Sequence, residues 1–189
     1  IRLLQNYYEG GDAGEVANSV DATEHSVMCS FGKENELEAI RNAIEKATDE
    51  KGNPVPIASI VSDTYDIYNA CENYYGKELK NMILGRNLPN GNPAKIVVRP
   101  DSGDVIKVLF GDSQASDPLH KEGVFSILYR HFPGGINNKG YKMLDPHVGV
   151  IQGDGLDLEE IQKVLHEMKI QKWAVSNIVN ETRYSQLSS

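Results

Sequence analysis

The chain has 189 residues, a formal net charge of -8 and 40% hydrophobic residues, a composition that excludes intrinsic disorder and collagen-like repeats. Its length predicts one domain or two small ones around a buried core. The 27 acidic side chains against 19 basic ones argue against a nucleic acid or an anionic membrane as the main partner. The sequence has no apolar run of the roughly 20 residues that span a bilayer, so we expect a small molecule or another protein as partner.

The two cysteines, Cys29 and Cys71, lack metal-ligand spacing and could form at most one disulfide. We expect both to be buried structural thiols in a protein of the reducing cytoplasm. The sequence starts at Ile1 inside an amphipathic segment, which indicates an internal piece of a longer protein.

Apolar periodicity divides the chain into helices that alternate with short strands. Apolar residues three and four positions apart predict helices over residues 1–8, 33–47, 65–75, 79–84, 104–110, 123–132 and 157–168. Runs rich in β-branched residues predict strands over residues 55–62, 95–98, 148–151 and 173–179. Polar and glycine-containing segments predict a break at Gly76 and loops over residues 87–93, 111–122 and 134–140. The last helix is expected to be capped by Asp157 and to bury Leu158, Ile161, Leu165 and Met168. The alternation predicts an α/β fold with parallel strands, either a barrel or a doubly wound sheet.

An acidic residue follows three of the predicted strands: Asp63, Asp101 and Asp154. In a barrel or doubly wound sheet all parallel strands end on one face, so we expect these carboxylates to converge at one mouth. Carboxylates repel one another unless a cation or a hydroxyl-rich ligand lies between them, and Mg²⁺ prefers oxygen ligands. The pattern therefore predicts a small-molecule site with a divalent cation.

The Arg-Pro-Asp-Ser-Gly segment after the second strand carries the strongest signal for ligand binding. Arg99 suits an anionic or planar group, Asp101 supplies a carboxylate, and Ser102 precedes a glycine that permits close backbone approach. The structural alternative is an ion pair between Arg99 and Asp101 that closes a turn. Likewise, the glycines around Asp154 suit a sugar contact or a plain turn. Asp63 is either a site residue or a helix N-cap.

His25 lies beside Glu24 and before a mildly β-like run over residues 27–31. A histidine next to a carboxylate is a general base, a phosphate acceptor or simply a hydrogen-bonded polar residue. The histidines without ligand-like spacing are interpreted as surface or structural residues: His120, His131, His147 and His166. The tyrosines at helical spacings are interpreted as packing residues: Tyr65, Tyr68, Tyr74 and Tyr75.

An ordered set of motifs resembles the nicotinamide phosphoribosyltransferase family, in its bacterial and phage branch. The motifs are Glu24-His25-Ser26, the run from Ser59 to Asn69, Arg99-Pro100-Asp101-Ser102-Gly103 and Gln152-Gly153-Asp154-Gly155. The resemblance implies a type II phosphoribosyltransferase fold, an irregular α/β barrel whose active sites lie at a homodimer interface. The implied reaction joins nicotinamide to phosphoribosyl pyrophosphate with Mg²⁺, giving nicotinamide mononucleotide and pyrophosphate in NAD salvage.

The resemblance also implies roles for individual residues. ATP hydrolysis would be coupled through phosphorylation of His25, with Glu24 and Asp101 as the other catalytic residues. The implied substrate-binding residues are Arg99 at the nicotinamide, Ser59 in its tunnel, and Asp63, Ser102, Gly153 and Asp154 around the ribose and pyrophosphate. Asp63 and Glu24 would lie near the metal.

The resemblance covers residues 1–179, which predicts a partial phosphoribosyltransferase domain there and a non-family tail over residues 180–189. The sequence lacks counterparts of the family's N-terminal nicotinamide-pocket region and of its glycine-rich 5′-phosphate loop, so we expect the chain alone to be weakly active or inactive. Two alternatives stay open. One is a nicotinate or quinolinate phosphoribosyltransferase, and the other is a noncatalytic ribose-phosphate-binding or assembly module.

Overall fold

A four-stranded parallel sheet lies at the centre of the computed structural model, which describes residues 21–151 and 157–178. Its strands, in spatial order, are β1 (Asp21–Ala22), β2 (Ile57–Val61), β3 (Lys95–Arg99) and β6 (Val148–Val150). A separate antiparallel pair is formed by β4 (Pro133–Ile136) and β5 (Lys142–Leu144). β2, β3 and β6 confirm the predicted strands at 55–62, 95–98 and 148–151. Long connections separate them along the chain, as parallel pairing requires.

Helices connect these strands. They are α1 (His25–Cys29), α2 (Glu36–Lys46), α3 (Ile67–Asn69) continued by a π-helix (Ala70–Glu78), α4 (Lys80–Leu84), α5 (Val105–Phe110), α6 (Pro118–His131) and α7 (Leu158–Gln171). Shorter 3₁₀ turns cover Lys33–Asn35 and Val175–Asn177. The predicted α/β class is therefore confirmed. Within the described residues, no helix is long and apolar enough to cross a membrane.

The three longer strands run through the buried core. Ile60, Val98 and Val150, one from each of the three longer strands, are fully or almost fully buried. Trp173 stacks on Phe125 with ring centroids 5.3 Å apart, which joins the last described segment to α6. Tight packing of this kind leaves little freedom for the strand termini, so the residues that follow the strands are held in place.

Two segments near the C-terminus differ from the sequence prediction. The predicted loop over 134–140 begins with most of β4, which pairs with β5. Gly134 permits this close pairing, since a Cβ there would approach the Leu144 carbonyl oxygen to 2.2 Å. Over its described residues, the predicted strand 173–179 forms isolated bridges at Trp173 and Ile178, on either side of a 3₁₀ turn. The Asn177 side chain explains that turn, since it accepts from the Leu144 N–H and donates to a β5 carbonyl.

Two helices have other bounds than predicted. α6 begins at Pro118 because Asp117 caps it, accepting from the Leu119 N–H, and proline suits a first turn. The expected break at Gly76 is wrong, since the π-helix runs through it and ends before Leu79. A Cβ at Gly76 would lie 2.4 Å from the His131 ring, so this glycine permits close packing and does not break the helix.

The segment after His25 also differs from the prediction, since residues 27–31 lie in and just after α1 and form no strand. Of the two cysteines expected to be buried, Cys71 is buried and Cys29 is exposed. In α7 the capping box of Asp157 and Glu160 is present, which confirms the predicted cap. Its buried face comprises Val164 and Met168, whereas three residues expected in the core are exposed: Leu158, Ile161 and Leu165. The buried face of α7 is therefore narrower than the apolar face that its sequence pattern indicates. The predicted helix over 1–8 and tail over 180–189 lie outside the described residues.

Candidate functional site

Two acidic residues meet where β2 and β3 end. The Asp101 N–H donates to Asp63 Oδ2 over 2.8 Å, and the Ser102 hydroxyl donates to the same oxygen. The Asp63 side chain is only 5% exposed. The structure thus brings Asp63, Asp101 and Ser102 together, as the parallel-strand argument predicts. Gly153 and Asp154 lie outside the described residues.

His25 completes this cluster from the neighbouring strand. Because β1 pairs in parallel with β2, the first residues after β1 reach the same edge of the sheet. His25 Nε2 lies 3.5 Å from Asp63 Oδ1 and 3.6 Å from Asp101 Oδ2. Its side chain is 44% exposed, so the imidazole faces solvent above two largely buried carboxylates. A solvent-borne ligand can therefore reach the imidazole ring, and the two carboxylates lie directly behind it.

Arg99 closes the other side of the cluster. Its Nη2 donates to Asp101 Oδ2 over 3.1 Å and to the Thr23 carbonyl over 3.2 Å. The ion pair considered as a structural alternative is therefore present, but it orients Asp101 within the cluster. The N-cap alternative for Asp63 is wrong, because Asp66 caps α3 by accepting from two backbone N–H groups.

Sequence reasoning missed Thr23. Its hydroxyl oxygen accepts from the Val61 N–H over 2.9 Å, while its carbonyl accepts from Arg99. Thr23 thereby ties the end of β1 to both β2 and β3. A single threonine does not by itself indicate a functional site. Its position directly before the Glu24-His25 pair is the one feature of the sequence that could have drawn attention to it.

Several buried polar atoms around these strand ends lack a hydrogen-bond partner. At the ends of β2 and β3 they are Asp63 Oδ1, Thr64 Oγ1, Arg99 Nε and Asp101 Oδ1, and further away Ser59 Oγ within β2 and Glu36 Oε1 in α2 also lack a partner. Leaving buried polar atoms unpaired is unfavourable, and such atoms point to a polar ligand. The two carboxylate oxygens suit Mg²⁺, which binds through one or two carboxylates together with waters and substrate phosphates. Among the described residues, no group of three or more histidines, cysteines or acids is arranged to hold a metal ion.

Two predicted site residues stand apart from this buried cluster. Ser59 is 2% exposed and lines a cavity of about 400 Å³, whose wall also includes Thr23 and Met28. Glu24 is exposed, and its carboxylate accepts from the Ser26 hydroxyl over 3.4 Å. Within the described residues Glu24 therefore takes no part in the hydrogen bonds of the cluster around Asp63.

Glu36 is a further acid that sequence reasoning missed. It lies in the first turn of α2 and is only 3% exposed. Burial raises the pKa of its carboxyl to about 7, with a smaller contribution from the negative charges of Asp66 and Asp63. The Tyr65 backbone N–H and Lys33 oppose this shift. The amphipathic pattern around Glu36 gave no sign of its burial, because acids are usual in the first turn of a helix.

Glu36→Gln is expected to remove a pH dependence of stability. Because the folded pKa of about 7 lies above the value of 4.5 for an exposed carboxyl, the folded state binds the proton more tightly. Stability is therefore lost as pH rises from about 4.5 through 7, by about 3 kcal/mol in total. The gain of Glu36→Gln over the unaltered chain should thus be larger at pH 8 than at pH 5 in urea unfolding. Exposed Glu45→Gln on the same helix is the control, and an equal Glu36→Gln effect at both pH values would contradict the argument.

The other histidines make structural contacts or lie at the surface, as interpreted from the sequence. His120 stacks on Tyr68, His147 Nδ1 lies 2.7 Å from Asp145, and His166 is exposed. His131 contacts Glu72 at 2.8 Å. Although burial opposes ionisation, contacts with His131, Lys77 and Arg130 lower the pKa of Glu72 to about 2. This cluster joins the π-helix to α6.

Comparison with known proteins places the chain in a family of phosphoribosyltransferases. The profile of the Nicotinate phosphoribosyltransferase (NAPRTase) family matches residues 7–179, and the chain belongs to this family.

The relatives found bear a common name. A nicotinamide phosphoribosyltransferase of Acinetobacter baylyi is 41% identical over 182 residues, covering 95% of this chain and 34% of the relative. A protein of the same name from Mycoplasma pneumoniae is 34% identical over 190 residues, covering 96% of this chain and 39% of the relative. The chain therefore spans between about a third and two fifths of the length of these relatives.

Proposed function

We propose that this chain carries part of the active site of a nicotinamide phosphoribosyltransferase, in which it binds the ribose and pyrophosphate of phosphoribosyl pyrophosphate. The observation that carries the proposal is the cluster at the strand ends. There Asp63 and Asp101 lie beside His25, and each carboxylate keeps one buried oxygen without a hydrogen-bond partner. The names of the relatives support nicotinamide as the base.

The chemistry of the proposed reaction suits these side chains. Breaking the bond between ribose C1 and pyrophosphate develops positive charge on the sugar, which the Asp101 and Asp63 carboxylates can stabilise. Asp101 would also accept from ribose hydroxyls, in a position that Arg99 fixes. Mg²⁺, when bound, would neutralise the departing pyrophosphate oxygens; Asp63 would hold it from within the cluster, and the family resemblance implies Glu24, which is exposed outside the cluster, as a second ligand.

His25 would take up the terminal phosphoryl group of ATP on a ring nitrogen, with release of ADP, and later lose it to water. Its exposure supports this role, because a nucleotide can reach the ring from solvent. The cavity beside Ser59 has the volume of a small-ligand pocket and supports the placement of nicotinamide there.

Four further features of the proposal rest on the resemblance to the family. They are an irregular α/β barrel over residues 1–179, a homodimer with the active site at its interface, a cytoplasmic location, and ribose contacts from Gly153 and Asp154. The sheet supports the barrel, because its four parallel strands lie side by side in the order in which they occur along the chain.

A competition assay tests the base. The purified chain is incubated with phosphoribosyl pyrophosphate, Mg²⁺, ATP and equal concentrations of nicotinamide, nicotinate and quinolinate, and the mononucleotides are separated by chromatography. We expect nicotinamide mononucleotide to predominate, at a rate well below the roughly 10 s⁻¹ typical of enzymes. A predominance of either other mononucleotide would contradict nicotinamide as the base. Retained phosphoribosyl pyrophosphate binding without any product would instead favour a noncatalytic module.

A further inference from the structure

Tyr75 is a buried polar residue that the proposed chemistry does not use. It lies in the π-helix Ala70–Glu78 and is 1% exposed. Burial raises the pKa of its hydroxyl, so the group remains protonated and can donate a hydrogen bond. π-Helices are rare and are often found beside functional sites. The hydroxyl lies 2.8 Å from Ser62 Oγ, directly before Asp63 in the chain.

Ser62 is held by hydrogen bonds from three directions. Its N–H donates to the Arg99 carbonyl over 3.0 Å, and its hydroxyl donates to the Ile60 carbonyl over 2.7 Å. Because the serine hydroxyl has one proton, which goes to Ile60, the Tyr75 hydroxyl must be the donor in the remaining contact. Ser62 is 1% exposed, so water does not replace any of these bonds easily.

We propose that Tyr75 is a positioning residue for the candidate site: through Ser62 it fixes the end of β2 so that the Asp63 carboxylate points at His25 and Asp101. Asp63 is the residue next to Ser62, and its Oδ2 is the acceptor for the Asp101 N–H. A shift of the Ser62 backbone would therefore lengthen that bond and move Asp63 Oδ1, which lies 3.5 Å from His25 Nε2. Among the described residues the Tyr75 hydroxyl forms a hydrogen bond with Ser62 and none with Asp63, Asp101 or His25, so its effect on the cluster passes through Ser62.

Amide hydrogen exchange tests this positioning without any ligand. Tyr75→Phe keeps the ring and removes only the donor, whereas Tyr129→Phe removes a weaker hydroxyl contact to the Gly135 carbonyl, at the β4–β5 pair. We expect the Asp101 amide to exchange several-fold faster, up to about tenfold, in Tyr75→Phe only. The Val97 amide within β3 should be unaffected. Equal acceleration of both amides would mean loss of global stability, and unchanged exchange at Asp101 would mean no coupling, so either result would overturn the proposal.

A second arm rests on the proposed function and measures the dissociation constant of phosphoribosyl pyrophosphate with Mg²⁺. We expect Tyr75→Phe and Ser62→Ala each to weaken binding by about fivefold. The double variant should bind as tightly as the single variant with the lower affinity, because both changes break the same hydrogen bond between Tyr75 and Ser62. Multiplicative effects would contradict action through Ser62. If the unaltered chain does not bind at all, the proposed function fails while the exchange result still decides the role of Tyr75.

Discussion

Asp63→Asn is expected to weaken binding of phosphoribosyl pyrophosphate with Mg²⁺ by about 100-fold, because the change removes a charged acceptor from the centre of the site. An asparagine oxygen could still accept from Asp101 and Ser102, so the fold should persist. Its amide group would however place hydrogens toward His25, where the carboxylate now has an unpartnered oxygen. Equilibrium dialysis with labelled phosphoribosyl pyrophosphate measures the effect.

Asp104→Asn provides the control for this change in charge. Asp104 caps α5 by accepting from the Ile106 and Lys107 N–H groups, and asparagine caps helices equally well. Its affinity should therefore stay within about twofold of the unaltered chain. Binding by Asp63→Asn at the unaltered affinity would mean that the ligand does not use this cluster.

Gly123→Ala is expected to destabilise the fold by about 3 to 6 kcal/mol, the largest stability effect we anticipate. Gly123 lies inside α6 with φ 78° and ψ 162°, a conformation open essentially only to glycine. A Cβ there would also lie 2.3 Å from the Gly111 nitrogen, at the end of α5. Neither backbone can move without disturbing its helix. Urea unfolding measures the loss. Because small domains have only about 5 to 15 kcal/mol of stability, a variant that no longer folds is recognised by the absence of the folded circular dichroism signal.

Gly32→Ala separates strain from collision. Gly32 has nearly the same backbone conformation, φ 76° and ψ 159°, but nothing lies within 4 Å of its added Cβ. We expect it to lose about 1 to 3 kcal/mol from strain alone. Equal losses for the two variants would show that the contact between α5 and α6 contributes little.

The parts of the fold with a clear period were predictable. β2 and β3 are short, β-branched and buried, and the acids that follow them meet because parallel strands end at one edge of the sheet. Local pattern could not reveal β4, since its Pro-Gly-Gly sequence lacks strand propensity. That strand depends on close backbone contact between Gly134 and Leu144, which no window along the chain contains.

The candidate site was predictable where chemistry and position coincide. Asp63, Asp101 and His25 each carry a functional group at or near a strand end. Thr23 and Glu36 were missed because their importance comes from residues distant in sequence: Thr23 accepts a hydrogen bond from the Val61 N–H, and Glu36 is buried by packing. Long-range burial of this kind leaves no trace in the local sequence pattern.

The central claim is that the strand-end carboxylates bind phosphoribosyl pyrophosphate. Isothermal titration calorimetry of the purified chain with this ligand, with and without Mg²⁺ and beside Asp101→Ala, tests it most directly. We expect saturable binding that requires Mg²⁺ and is lost in Asp101→Ala. Absence of binding by the unaltered chain, or equal binding by Asp101→Ala, would contradict the claim.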